Sequence, residues 1–321
     1  MSDTIQKLQT VDKVEILILV DNYSDALLPG RDEVVRPKLA KKGVITEKVP
    51  IAEHGLSLLI TVHRNGQSHT MLLDSGYNPD TMMHNMEVLE VDPSVIEAVV
   101  VSHGHMDHTG GLKSLLKRIK KSIPFVVHAD AFSRRFMDLP NNIRVQFPQV
   151  LTREDLQNTD VDLVELDSPM SLFEDSILVT GPVPRITSFE KGMPNALIER
   201  NGETVQDPIT DDQAIVINLA ERGLVVISGC AHAGIVNSIL YAQQLTGKSQ
   251  ICTVMGGFHL TGQDTDDLIR DTVTEIKKFS PEMVVPMHCT GLKAIWRFEQ
   301  EFPESFVLSS VGTKIVLSRP N

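Results

Sequence analysis

The chain has 321 residues, 41% hydrophobic and 22% charged, enough to bury a sizeable core in one large domain or two ordinary ones. Its 30 Lys and Arg stand against 42 Asp and Glu, a formal net charge of -12, which argues against binding nucleic acid or an anionic membrane, since either needs a basic face. Met1–Lys13 lacks a signal-peptide pattern, no apolar run is long enough to span a bilayer, and three cysteines are too few for a disulfide framework, so a cytoplasmic protein is expected.

Val14–Val20 reads as a buried strand ending in the turn-rich Asp21-Asn22-Tyr23-Ser24. Charged residues with Pro29, Gly30, Pro37 and Gly43 predict a long surface loop from Asp25 to Pro50. Leu56–His63 and Ser68–Leu73 flank Asn65-Gly66, a hairpin signal, and the second strand stops at Asp74-Ser75-Gly76. A helix follows around Thr81–Leu89, and the strand Ala98–Val101 runs directly into a histidine cluster. Gly110–Lys121 has helical spacing, with Leu112, Leu115, Leu116 and Ile119 on one face and a solvated basic face opposite. Phe125–Val127 is another strand, and Asp138–Asp167 mixes loops with short strands.

Ser176–Thr180 leads into Gly181-Pro182-Val183-Pro184-Arg185, which continues neither regular element, and the stretch to Asp212 is expected as loop. Ala214–Leu219 and Leu224–Ser228 flank Glu221-Arg222-Gly223 as a hairpin. Helix Gly234–Leu245, strand Ile251–Met255, helix Asp266–Phe279, strand Met283–Pro286 and helix Leu292–Glu301 follow, with terminal strands within Phe306–Ser318. Strands first, then strand–helix alternation, twice over, suit an α/β (α+β) arrangement in which a sheet sandwich is covered by helices.

The chemistry concentrates at His103-Gly104-His105-Met106-Asp107-His108. A buried strand ends there and presents three imidazoles and a carboxylate within six residues, a good ligand set for zinc and acceptable for iron, nickel or manganese. Gly104 lets the backbone turn so that neighbouring side chains converge, and Thr109-Gly110-Gly111 permits close approach. Without an ion, so many polar groups at a strand end would lack partners.

His-x-His-x-Asp-His after a hydrophobic strand resembles the signature of the metallo-β-lactamase superfamily. Leu72-Leu73-Asp74-Ser75-Gly76 resembles its upstream strand-end aspartate, Val226-Ile227-Ser228-Gly229-Cys230 a strand end that usually finishes in aspartate, and Val285-Pro286-Met287-His288-Cys289 its last strand with a terminal histidine. The resemblance implies an αββα sandwich, two mixed sheets flanked by helices, as a single domain over residues 1–321 with loop insertions near 25–50 and 181–211. It further implies two divalent metal ions, zinc first with manganese or iron as alternatives, at one sheet edge.

On that resemblance His103 and His105 bind one ion, and Asp107, His108 and His288 the second. The remaining histidine of the first site is His232 or His128; His232 is the better candidate because its Gly-rich strand end leaves it free to reach the metals. Cys230 occupies the position of a bridging aspartate and is either a thiolate ligand or a small buried filler, while Cys289 is expected to point away. Asp74 is expected to fix the tautomer of a ligand histidine, and Asp107 to orient the nucleophile and take a proton. His54, Arg185 and His259 are candidate substrate contacts, and Lys191 could join Arg185 in holding a phosphate.

Further segments, among them Ser228–Gly234, Gly256–Leu260 and Met287–Gly291, resemble a branch described as metal-dependent hydrolases. That branch includes an archaeal enzyme joining a dihydropterin diphosphate to ribofuranosylaminobenzene 5'-phosphate. The implied activity is hydrolysis of an ester, phosphoester or related bond of a small molecule by metal-activated hydroxide. The alternatives are transfer of a pterin to an arylamine with loss of pyrophosphate, and a non-catalytic metal or ligand sensor. A small-molecule substrate, phosphorylated in the transferase case, is the expected partner, and a homo-oligomer is left open.

Overall fold

Alternation along the strands builds the molecule, whose structure, a computed structural model, describes residues 5–262 and 265–320. Ala98 and Val100 face one way and Val99 and Val101 the other, as the period of two in a strand requires, and all four are buried. A strand buried on both faces must lie inside a layered stack. Two mixed sheets supply it. The first runs Val161–Glu165, Ile123–Val127, Ala98–Val100, Gln67–Leu73, Ser57–Arg64, Lys13–Val20, Lys314–Ser318, Val34–Val35. The second runs Met170–Leu172, Ile177–Val179, Ala214–Leu219, Gly223–Ser228, Ile251–Gly257, Met283–Met287, with Thr10–Val11 added alongside Ala214–Leu219.

One apolar layer joins the two sheets, with Ile16, Ile60 and Val100 from the first meeting Ile217, Ile227 and Val285 from the second. Outside the first sheet, helices Pro79–Val88 and Leu112–Leu116 bring Met82, Met86, Leu112 and Leu115 onto Val99 and Phe125. Outside the second, helices Ile235–Thr246, Asp266–Phe279 and Leu292–Glu301 bring Ile239, Val273 and Phe298 onto Val226 and Val254. This is the expected αββα sandwich. At roughly 1.5–3 kcal/mol for each large apolar side chain fully buried, these layers can carry strained loops at their edge.

Local signals explain most elements. Arg64 pairs with Gln67 across Asn65 and Gly66, both at positive φ (51° and 78°), as a two-residue turn matching the strand twist demands. The Asn78 side chain accepts the Asp80 N–H and Pro79 occupies the first turn of its helix. The helices Asp266–Phe279 and Leu292–Glu301 have the boundaries their periodicity predicts.

Three expectations need correction. The predicted helix Gly110–Lys121 is only Leu112–Leu116, preceded by a separate helical turn at Met106–Thr109; Gly110 and Gly111 join the two in right-handed helical conformation, and the helix stops at Lys117, before most of the basic run. The stretch before Asp212 is not all loop: Ala196–Arg200 and Glu203–Gln206 form a hairpin that joins Arg135–Leu139 and Ile143–Gln146 in a four-stranded sheet. Glu203–Gln206 is exposed throughout, so it lacks the alternation that reveals half-buried strands, although Asn201-Gly202 carries the turn signal. Within the Asp25–Pro50 stretch a short hairpin pairs Ala40–Lys41 with Val44–Ile45.

The sheet edges come together at Gly229, where a Cβ would sit 2.0 Å from Ser102 Oγ and 3.2 Å from Asp74 Oδ2. Gly229→Ala is therefore expected to cost about 1–3 kcal/mol of stability, the usual cost of overpacking, and so to lower the midpoint of urea unfolding. An unchanged midpoint would show that the two edges do not abut as described.

Candidate metal centre

Every group of interest projects from one edge of the sandwich, where strand ends of both sheets meet. Ala98–Val100 delivers the His103–His108 segment, Gly223–Ser228 delivers Cys230 and His232, and Met283–Met287 delivers His288 and Cys289. Ala231, His259 and His288 leave their strands with positive φ of 50°, 47° and 49°. Such non-glycine conformations cost about 1–3 kcal/mol each and persist only where surrounding packing over-determines them.

Three imidazoles form the first group. His103 Nε2 lies 3.0 Å from His105 Nδ1 and 3.2 Å from His232 Nε2. On its other side, His103 Nδ1 is 3.0 Å from Ser102 Oγ, whose hydroxyl donates to Asp74 Oδ2 at 2.7 Å. Ser102 therefore accepts from His103 Nδ1–H, and the Nε2 lone pair is turned inward. Burial holds His103 and His232 well below the ordinary histidine value, with neighbouring imidazoles adding to the effect, while burial and then Arg135 bring His105 to about 3. All three are neutral ligand-type imidazoles. Tetrahedral Zn–N bonds of about 2.0–2.1 Å place nitrogens about 3.3 Å apart, so the spacing of His103 Nε2 from each neighbour fits a shared cation, and the set that closes within 4.8 Å is His103, His232 and Cys230, without His105.

A carboxylate, two imidazoles and a thiol form the second group. Ligand atoms of Asp107, His108, Cys230 and His288 all lie within 4.8 Å of one another, and so do those of His103, Cys230 and His232. Cys230 belongs to both sets. His108 Nδ1 donates to Asp74 at 2.6 Å, which aims its Nε2 at Cys230 Sγ, 3.1 Å away. His288 Nδ1 donates to Asn22 Oδ1 at 2.9 Å, which leaves its Nε2 facing Asp107 Oδ2 at 3.2 Å without an aligned hydrogen bond. Burial alone would raise Asp107, but His108, His288 and His54 hold it far below the carboxylate range. Burial likewise opposes charge on His108, yet Asp74 and Asp107 outweigh it and bring the ring to about 9. The donor chemistry and the inward-facing buried nitrogens fit a pair of divalent ions.

The residues singled out in the sequence do not all meet. His232 joins the cluster, whereas His128 caps a turn by accepting the Asp130 N–H at 3.1 Å. His54 stands at the mouth, its Nε2 3.4 Å from Asp107 Oδ2. His259 lies against His232 with the rings tilted, centroids 4.3 Å apart. Arg185 instead donates to the carbonyls of Pro208 (2.7 Å) and His232 (3.1 Å), bracing the loop from behind, and Lys191 is exposed. A cavity of 830 Å³ beside Arg185, Pro184 and Tyr241 is lined by none of the clustered side chains. Cys289 does not point away: its Sγ–H donates to the Cys230 carbonyl at 3.6 Å. The left-handed turn at His288 breaks strand alternation and brings both neighbours inside.

Several supporting residues escaped sequence reasoning. Asp21 accepts the His288 N–H at 2.8 Å, and Asn22 links His288 to His54; both had read simply as turn formers. Arg135 bridges Asp207 (2.8 Å) and Asp211 (2.5 Å), and Asp211 accepts the Gly104 N–H at 2.7 Å, a buried relay between positions too distant in sequence to suggest pairing. Glu190 accepts the N–H groups of Val236 (2.9 Å) and Asn237 (2.8 Å), closing the helix that follows His232.

Comparison with known proteins agrees with this geometry. The profile of the metallo-beta-lactamase superfamily matches residues 52–288, and the chain belongs to that superfamily. It is similar to the 7,8-dihydropterin-6-methyl-4-(beta-D-ribofuranosyl)-aminobenzene-5'-phosphate synthase of Methanocaldococcus jannaschii, 32% identical over 79% of this chain and 87% of that protein. An uncharacterized protein of the same organism is 31% identical over 81% of this chain and 92% of its own length. Among solved structures, one described as a metal-dependent hydrolase of the beta-lactamase superfamily superposes with a TM-score of 0.71 and 26% identity, covering 95% of this chain and all (100%) of that one. No helix among the described residues is long and apolar enough to cross a membrane.

Glu190 supplies a pH test of the loop that carries His232. Burial raises it to about 7 from the ordinary 4.5, against the opposing pull of the Val236 and Asn237 amides. The folded state then holds this proton more tightly than the unfolded chain, so its contribution is fully present below 4.5 and is lost as pH rises through about 7. Between pH 5 and 8 the wild type should lose up to about 3 kcal/mol more than Glu190→Gln in urea unfolding. Equal pH slopes would refute the assignment.

Proposed function

We propose that the chain is a metal-dependent hydrolase cleaving an ester, phosphoester or related bond of a small molecule. Two divalent ions would be held by His103, His105 and His232 on one side and by Asp107, His108 and His288 on the other, with Cys230 between them. What supports the reading is the convergence on the Cys230 sulfur of His103 with His232 and of Asp107 with His108 and His288, both sets buried. Zinc suits the imidazole–thiolate donors, with manganese or iron as alternatives. When bound, the ions supply Lewis-acid polarisation of the scissile group and make water ionisable near neutral pH.

The chain's own groups divide the remaining work. Asp107, kept ionised by the imidazoles around it, orients the attacking water. Asn22 Nδ2 can only donate, so the 3.2 Å contact makes His54 Nδ1 the acceptor and puts its proton on Nε2, beside Asp107. His54 is the exposed member of the group, and it hands that proton to the leaving oxygen.

A second reading is transfer of a pterin from its diphosphate to an arylamine, with pyrophosphate released. Its support is the M. jannaschii synthase, similar over most of both chains. In this case the same ions would neutralise the diphosphate.

Metal analysis with a substrate panel tests these readings together. Purified protein should hold or take up about two ions per chain, and His103→Ala should lose about one of them while remaining folded. Protein that binds no zinc or manganese, with no gain in stability on their addition, would end the proposal. Turnover of phosphodiester, thioester or lactone supports hydrolysis. Pyrophosphate appearing only when pterin diphosphate and arylamine are both present supports transfer. Tight ligand binding without turnover of either kind points to a sensor. For the active enzyme, His54→Ala should lower kcat by about 100-fold or more with metal content unchanged.

A further inference from the structure

Cys230 has a second set of neighbours that the binuclear reading leaves unused. Its sulfur, a ring nitrogen of His259 and Cys289 Sγ all lie within 4.8 Å of one another. Both thiols are buried, and neither is in a disulfide. His259 Nδ1 is buried with no hydrogen-bond partner among the described residues. The backbone is shaped for the approach: a Cβ at Gly257 would meet Cys289 Sγ at 2.6 Å and Cys230 Cα at 3.3 Å, so only glycine leaves room for the sulfur. The three residues come from three adjacent parallel strand ends, each leaving through a positive-φ residue at Ala231, His259 or His288. Strain of this kind gathers where a side chain must be aimed.

We propose that Cys230, His259 and Cys289 form a further cation site, contiguous with the histidine centre and sharing Cys230 with it, for a thiophilic divalent ion. Two thiolates and an imidazole are a zinc-type set of three protein ligands, with a fourth position left open. Tetrahedral bonds of about 2.0–2.3 Å place such ligand atoms about 3.3–3.8 Å apart, so the cluster need close by at most about 1–1.5 Å. Binding replaces two S–H protons, which pass to solvent. A thiolate can bridge two ions, so with this site loaded Cys230 would serve one ion of the histidine centre, the other keeping its three remaining ligands. The inference depends on the proposed function only through that shared sulfur.

Cobalt(II) titration of the metal-free chain tests it, read as equivalents bound and as sulfur-to-cobalt charge-transfer absorption. Wild type should bind an equivalent beyond the histidine-held ions, and Cys289→Ser should abolish that equivalent and reduce the sulfur band about twofold. His259→Ala, which keeps both thiols, should weaken the same equivalent about tenfold or more, and it serves if Cys289→Ser fails to fold. His103→Ala should remove a different equivalent and leave the Cys289-dependent absorption in place. A band and stoichiometry identical in wild type, Cys289→Ser and His259→Ala would overturn the inference while leaving the histidine centre standing. Loss of only the His103-dependent ion from the expected set would instead count against the binuclear reading.

Discussion

The buried carboxylate of Asp74 is the interaction on which the edge depends. One oxygen accepts the Ser102 N–H at 2.7 Å; the other accepts the Ser102 hydroxyl at 2.7 Å and His108 Nδ1–H at 2.6 Å. These contacts tie the end of Gln67–Leu73 to the end of Ala98–Val100, and through Ser102 they also set the His103 tautomer. Two imidazoles on opposite halves of the cluster are thus turned Nε2-inward by one fully buried acid. Losing a partner inside such a network leaves a buried charge uncompensated, which costs several kcal/mol more than an exposed contact contributes. Asp74 itself sits at φ 58°, held there by the strands on either side.

The sandwich makes that arrangement affordable. Its apolar layers hold strand ends from two sheets at one edge, and the ends approach so closely that Gly229 has no room for a side chain beside Ser102. Around this line the loops are braced from outside rather than from the cluster. Asp21 holds the His288 amide, Asp211 and Arg135 hold Gly104, and Arg185 holds the His232 carbonyl. The ligand nitrogens therefore face one another without needing each other as hydrogen-bond partners. Arg185 belongs to this scaffold as much as to any pocket, since the contacts of its guanidinium are backbone carbonyls.

How far the sequence was legible follows from the range of each signal. Strand alternation, the Asn65-Gly66 turn and the histidine hexapeptide are local, and the sandwich and the site's address could be read from them. The choice of His232 over His128 also rested on a local feature, the glycine-rich strand end. What stayed hidden was pairing across the fold: Arg135 lies 76 residues from Asp211 and Asn22 lies 266 from His288. Single polar residues in turns carry no mark of such partners. The hairpin Ala196–Arg200/Glu203–Gln206 was hidden for another reason, since a strand exposed on both faces has no burial pattern to display. Cys289 comes inside, against expectation, because His288 at positive φ ends the alternation of its strand.

In the proposed centre, Cys230 would stand where a bridging aspartate could be. A carboxylate spans two ions with two oxygens and favours hard cations, whereas one sulfur would have to serve both from a single larger, softer atom. The neighbourhood is organised around that difference. His108 Nε2 approaches the sulfur at 3.1 Å, Cys289 lies beyond it, and the surrounding burial pushes the Cys230 thiol well above its ordinary range. A buried thiol of this kind is a poor anion by itself, so its deprotonation would be driven by a cation and coupled to loading. Asp107, by contrast, is already held ionised by His54, His108 and His288 and needs no such help. The two acidic groups therefore differ in kind: Asp107 is charged by the fold and faces the exposed His54, whereas Cys230 would stay neutral until a cation bound and faces the sulfur-rich interior.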